Sequence, residues 1–194
     1  MSDAVILWNS PLFFESMFKE YGISAVTSAP ASLYSPHLPP FKLLVVPAGF
    51  TYPERAAISN VLADIKVQKK IFGFVENGGI LLMFSPLKEL EACQACRTLP
   101  VTSLKRFGMN AEYIQTDTMI RRTSLLTGDS DPVYCDGYFQ NIGPEFTIIE
   151  KDDDGHPVQI AANHGKGQVI LSSIHEFLSK TYFDSLLHGP KVKL

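Results

Sequence analysis

The sequence predicts an α/β fold with a mostly parallel central sheet and helices on both of its faces. Three observations predict it. Short apolar runs recur along the chain, longer mixed segments with helical spacing separate them, and Gly or Pro stands at the joints. Such alternation suits a parallel sheet, because each connection must cross back over the sheet before the next strand can pair. With 194 residues, 45% of them hydrophobic, the chain suits one domain, residues 1–194, with a sizeable core.

Asp3 to Trp8 is the first apolar run. Ser10 as N-cap, Pro11 at the first helical position and Gly22 as the stop frame a helix that carries Leu12, Phe13, Phe14, Met17 and Phe18. Ile23 to Val26 gives the second strand, and a loop rich in Pro and Ser runs from Ser28 to Pro40. Lys42 to Val46 is a third strand, ending in Pro47-Ala48-Gly49-Phe50. A long helical stretch over 53–76 stops at Gly78-Gly79, and Ile80 to Phe84 follows as the fourth strand. Residues 112–150 read as short strands broken by turns such as Thr127-Gly128-Asp129. Val158–Ala162 and Gln168–Ser172 are strands joined by Asn163-His164-Gly165-Lys166-Gly167, whose glycines supply the positive φ of a tight hairpin. A last helix spans 176–187, Gly189-Pro190 ends it, and residues 191–194 are expected to be loose.

Composition excludes several partners. The net charge is -3, and the longest basic clusters are the pairs Lys69-Lys70 and Arg121-Arg122, so no nucleic acid is expected. No stretch is apolar enough to span a bilayer, and the N-terminus lacks the positive region of a signal peptide. Three cysteines, an odd number, do not form a disulfide framework, and a reducing cytoplasm is expected.

Three stretches resemble the class I glutamine amidotransferase-like superfamily. Leu43-Leu44-Val45-Val46-Pro47-Ala48-Gly49 is similar to its strand ending in Pro-Gly-Gly. Phe74 to Ser85 is similar to its helix, Gly-Gly turn and strand leading to a nucleophile elbow. Gly165-Lys166-Gly167 through His175 is similar to the hairpin and strand that deliver a catalytic histidine. Tyr134-Cys135-Asp136-Gly137-Tyr138-Phe139 resembles a segment of the branch typified by the N-terminal domain of biotin-protein ligases. The resemblance covers residues 3–180 and implies a flavodoxin-like three-layer sandwich with a mostly parallel central sheet.

It also places a site. The nucleophile falls at Ser85, where the family has cysteine, and the glycines flanking the elbow fall at Met83 and Leu87. Pro86 follows Ser85, and proline has no N–H to offer a tetrahedral oxyanion. Losing one such donor costs about 3–4 kcal/mol. Gly49 could offer a second N–H. The histidine falls at His175, but Phe177 stands where the orienting carboxylate belongs, with Glu176 displaced by one residue. Ser85, His175 and Glu176 are therefore the catalytic candidates, in a site expected not to run glutaminase chemistry. Gly49, Phe50, Ser85, Tyr134, Asp136, Tyr138 and His175 are the ligand-binding candidates.

Plainer structural readings stand beside these. Ser85-Pro86, with Glu89 near the third position, is also an ordinary helix start. His175 also suits the start of the last helix, and aromatics like Tyr134 and Tyr138 also pack sheet edges. Cys93-Gln94-Ala95-Cys96 could take two corners of a metal site or a redox pair, but no second paired motif exists and inert thiols fit better. Asp152-Asp153-Asp154-Gly155 lacks the closing glutamate of a calcium loop and reads as a solvated turn. No metal and no cofactor is expected. The leading reading is a non-catalytic amidotransferase-like domain that binds a small molecule or a partner protein at the carboxyl edge of its sheet. The alternatives are a hydrolase or transferase using Ser85 and His175, and a redox-responsive module using Cys93 and Cys96. A homo-oligomer is compatible with all three.

Overall fold

Ala4–Leu7 (β1), Leu43–Val46 (β3) and Ile80–Phe84 (β4) are buried at every residue, as strands covered on both faces must be. Ala25–Ser28 (β2) is half-exposed and lies at a sheet edge. The computed structural model describes residues 2–8, 13–47, 58, 60–62, 64–84, 98–100, 109–128, 132–174 and 178–194. Six further strands are Thr98–Pro100 (β5), Glu112–Ile120 (β6), Val133–Gln140 (β7), Thr147–Lys151 (β8), Pro157–His164 (β9) and Gly167–Ser172 (β10). The main sheet has seven strands in the order β2-β1-β3-β4-β10-β9-β8. The three segments expected in one sheet, 4–7, 43–46 and 80–84, do share it. The expected hairpin also forms: Val169 pairs with Ala162 and Leu171 with Ile160, across a turn at Gly165-Lys166 with Gly165 at φ 58°.

The strands divide their side chains between two cores with a period of two. Val5, Leu7, Leu44, Val46, Leu81, Met83, Val169 and Leu171 face one cluster. Ala4, Ile6, Leu43, Val45, Ile80, Leu82, Phe84 and Ile170 face the other. Helix α2 (Ile65–Glu76) closes the first side. Asp64 caps it by accepting a hydrogen bond from Lys66 N–H at 2.7 Å, and Val67, Ile71, Phe74 and Val75 form its buried stripe. Helices α1 (Phe13–Glu20) and α3 (Lys180–Leu186) close the second side, where the Phe18 and Phe183 rings meet edge-on at 4.8 Å.

The structure corrects the expected flavodoxin-like three-layer sandwich with a mostly parallel sheet. The main sheet is mixed: β2, β1, β3, β4 and β10 pair in parallel, whereas β9 pairs antiparallel with β10 and β8 antiparallel with β9. A second sheet, β5-β6-β7, is wholly antiparallel. Helices are few among the described residues: α1, α2 and α3, a 3-10 turn at Pro30–Tyr34, and helical residues at 58 and 60–62. The second sheet shares both cores, Tyr113 and Phe139 packing in one and Ile120, Val133 and Cys135 in the other. The tail expected to be loose is docked instead. Phe41 and Val192 exchange backbone hydrogen bonds of 3.0 and 2.8 Å, and Lys191 pairs with Asp3 at 2.9 Å.

Candidate functional site at the carboxyl ends of the parallel strands

β1, β3, β4 and β10 are neighbours running the same way, so their carboxyl ends share one edge of the sheet. Val46 is level with Met83, and Phe84 with Ser172. β4 therefore ends at the residue before Ser85, and Ile174, just beyond β10, is the last described residue before His175. Ser85, Pro86, Leu87, Gly49, Phe50, His175, Glu176, Phe177, Cys93 and Cys96 themselves lie outside the described residues. Met83 is described: it sits in the core at 3% exposure, with its bulk turned into packing.

The remaining three candidates are brought to this edge by β7. Asp136 N–H donates to Ser173 O at 2.8 Å, and Cys135 bridges Ile174. Ser173 is itself tied to β9, donating to Val158 O through its N–H at 2.9 Å and its Oγ at 3.1 Å. Along β7 the side chains alternate. Val133, Cys135 and Phe139 point into the cores, Tyr134 is 53% exposed, and Asp136 and Tyr138 are half-buried, Tyr138 packing against the second core. Gly137 is demanded by close approach: a Cβ there would overlap the Ile114 carbonyl oxygen and stand 2.8 Å from the Tyr113 hydroxyl.

Cys135 is chemically quiet. Burial pushes its thiol up to about 12, and the carboxylates of Asp152, Asp136 and Glu150 push the same way against a hydrogen bond with Ser173. It stays a protonated, buried thiol rather than a nucleophile.

The residues that sequence reasoning misses are Asp152 and His156. The sequence presents Asp152 as part of a solvated turn, yet it is only 2% exposed. Its Oδ1 accepts from the N–H groups of Asp154 at 3.0 Å and His156 at 2.7 Å. Its Oδ2 accepts from Thr118 Oγ1 at 2.6 Å and lies 3.0 Å from His156 Nδ1. Burial raises its pKa, but the bonds from Thr118 and His156 outweigh that and hold the carboxyl below its usual value. The His156 ring in turn stacks on Tyr138, with centroids 4.3 Å apart and planes at 17°. Ligand atoms of Asp152, Asp154 and His156 lie within 4.8 Å of one another, the spacing at which a metal ion could be held. The alternation of these three along the chain is the signal a sequence offers. Asp152, however, already has both oxygens filled by hydrogen bonds, which makes it the keystone of the turn.

No family model matches the chain, and no curated protein matches it. Solved structures do share its fold. An exo-β-1,4-mannosidase from Opitutaceae bacterium strain TAV5 matches with TM-score 0.55 at 13% identity, over 90% of this chain and 31% of that one. A β-galactosidase from Bacillus circulans sp. alkalophilus matches with TM-score 0.54 at 11% identity, over 96% of this chain and 30% of that one. The chain thus spans about 30% of the length of these glycosidases. A Thermoplasma acidophilum protein provisionally described as a GMP synthase subunit matches with TM-score 0.54 at 12% identity, over 96% of this chain and 92% of that one. The glycosidase matches stand with the mixed sheets against the flavodoxin-like expectation. At 12% identity the match to the Thermoplasma acidophilum protein is a likeness of fold. Among the described residues no helix is long and apolar enough to cross a membrane.

Proposed function

We propose that this chain is a non-catalytic glutamine amidotransferase-like domain that binds a small molecule at the carboxyl edge of its parallel strands. The observation that supports this reading is the hydrogen bond from Asp136 N–H to Ser173 O, which sets the Tyr134-Asp136-Tyr138 stretch of β7 beside the segment that follows β10. Open α/β sheets present their clefts at that edge. The fold recurs in glycosidases and in a GMP synthase protein, so it does not itself dictate chemistry. The sequence argues against glutaminase chemistry: serine for cysteine at Ser85, no N–H at Pro86, and Phe177 in place of an orienting acid. The run Tyr134 to Phe139 supports the biotin-protein ligase N-terminal-domain-like branch as the nearest one.

The test is ammonia release from glutamine by the purified full chain, together with Ser85→Cys labelled by a glutamine-directed electrophile. We expect no release and no labelling. Stoichiometric modification at position 85 that disappears in the added variant His175→Ala would show a working base and elbow, and would sink the non-catalytic reading. A thermal-shift screen against metabolites then looks for the ligand, since a molecule that binds only the native state raises its apparent stability.

A further inference from the structure

We propose that His156 supplies the hydrogen-bond acceptor of the site at the carboxyl edge: Asp152 holds its imidazole with the proton on Nδ1, and the bare Nε2 takes the hydroxyl or N–H of a neutral ligand. This deepens the reading above and rests on it, because His156 stands at the same edge. β9 runs antiparallel to β10, Gln159 pairs with Ser172, and Ser173 N–H donates to Val158 O at 2.9 Å. His156 lies two residues beyond Val158 in that direction, beside the stretch that follows β10.

The tautomer follows from Asp152. That carboxyl is held below its usual value, so at neutral pH it is ionised and can only accept. Its Oδ2 lies 3.0 Å from His156 Nδ1, and Nδ1 must therefore donate. A neutral imidazole with its proton on Nδ1 carries a lone pair and no proton on Nε2. Among the described residues Nε2 has no hydrogen-bond partner, and the His156 side chain is 45% exposed. A carboxylate behind an imidazole fixes the ring's orientation and raises the basicity of the far nitrogen. The ring is held on two further sides. Tyr138 stacks on one face, and His156 N–H donates to Asp152 Oδ1 at 2.7 Å. Thr118 fixes Asp152 from the other sheet. A group already held in place loses little freedom when a ligand arrives. Carboxylate oxygens of Asp152 and Asp154 lie within 4.8 Å of a ring nitrogen, while Arg121 and Arg122 pair with Asp153 and Glu150. An anionic ligand would meet repulsion there, and a neutral donor does not.

The full chain, labelled with 15N, is studied at about pH 8, where an ordinary imidazole is neutral. Long-range proton–nitrogen correlation reads which ring nitrogen carries the proton, and we expect Nδ1 in His156. The chain is then titrated with phenol as the neutral donor, anisole as the methylated analogue without a donor, and sodium benzoate as the anion. We expect saturable shifts centred on His156 Nε2 with phenol alone. His156→Phe keeps a ring for Tyr138 and removes the acceptor; it should weaken phenol binding by about threefold or more, the worth of one hydrogen bond. Asp152→Asn separates orientation from structure. An acceptor oxygen remains for the turn, while the carboxamide NH2 donates to Nδ1 and drives the proton onto Nε2. That variant should lose the phenol response while its backbone amide spectrum stays folded. If neither variant folds, the tautomer and the difference between phenol and anisole in the parent decide the matter. A proton on Nε2 in the parent, equal shifts with anisole, tighter binding of benzoate, or full phenol affinity in either folded variant would overturn the proposal. Ammonia release from glutamine accompanied by phenol binding would defeat the non-catalytic reading and leave the His156 acceptor standing. Absence of both would defeat the His156 acceptor alone.

Discussion

Asp152 keeps a carboxylate where water scarcely reaches, and four hydrogen-bonding groups stand in for that water. Removing such a group leaves Thr118 and two backbone N–H groups without their acceptor, and unsatisfied buried donors cost about 1–3 kcal/mol each. Asp152→Ala should therefore lower unfolding stability by about 3 kcal/mol or more, read from urea midpoints. The pH dependence has a definite sign. The carboxyl is held below the ordinary aspartate value of 3.8, so the native state binds fewer protons than the unfolded chain over the range below that value. Its contribution is present above pH 3.8 and fades as pH falls through the lower native value. The slope of stability against pH in that acidic window should be shallower in Asp152→Asn than in the parent. An unchanged slope would remove Asp152 from the account. The residues of this turn are plain in the sequence but their burial is not, because the hydroxyl that closes the cage comes from Thr118 on the other sheet.

At the scale of elements, legibility follows burial. β1, β3 and β4 are apolar without interruption because both faces are covered, and they stand out in the sequence for that reason. The β9–β10 hairpin announces itself by its glycines. β6 and β7 do not. Each mixes polar residues with apolar ones, and Gly137 stands inside an eight-residue strand where a side chain would otherwise mark the pattern. The antiparallel half of the molecule therefore reads as fragments, and the fold class reads as more parallel than it is. The candidate site shares that fate in part: the Tyr134-Asp136-Tyr138 face is visible in the sequence, but its support by His156 depends on a contact between elements. Gly137 offers a direct test of the packing of β7 on β6. A methyl group there has no room beside the Ile114 carbonyl and the Tyr113 ring. Gly137→Ala should destabilise the protein by about 2 kcal/mol or more and shift the β6–β7 amide resonances together. A neutral effect would mean that the two strands can separate without cost.

The whole molecule is held at its other end by residues that look expendable in the sequence. Lys191-Val192-Lys193-Leu194 is a short, charged tail after Gly189-Pro190, and nothing local fixes it. Its partners come from the start of the chain: Val192 exchanges two backbone hydrogen bonds with Phe41, and Lys191 pairs with Asp3. Phe41 itself packs on Phe74 of α2, with ring centroids 4.8 Å apart, and Val192 and Leu194 pack against the same core. The tail thus covers the amino end of the sheet, opposite the edge where the candidate site lies. Removing residues 190–194 should cost about 2–4 kcal/mol, from two partly buried hydrogen bonds and the apolar area of two side chains. The ion pair should add little, since partly exposed pairs contribute about 0–1 kcal/mol. Lys191→Ala should accordingly leave the urea midpoint nearly unchanged, whereas the truncation lowers it clearly.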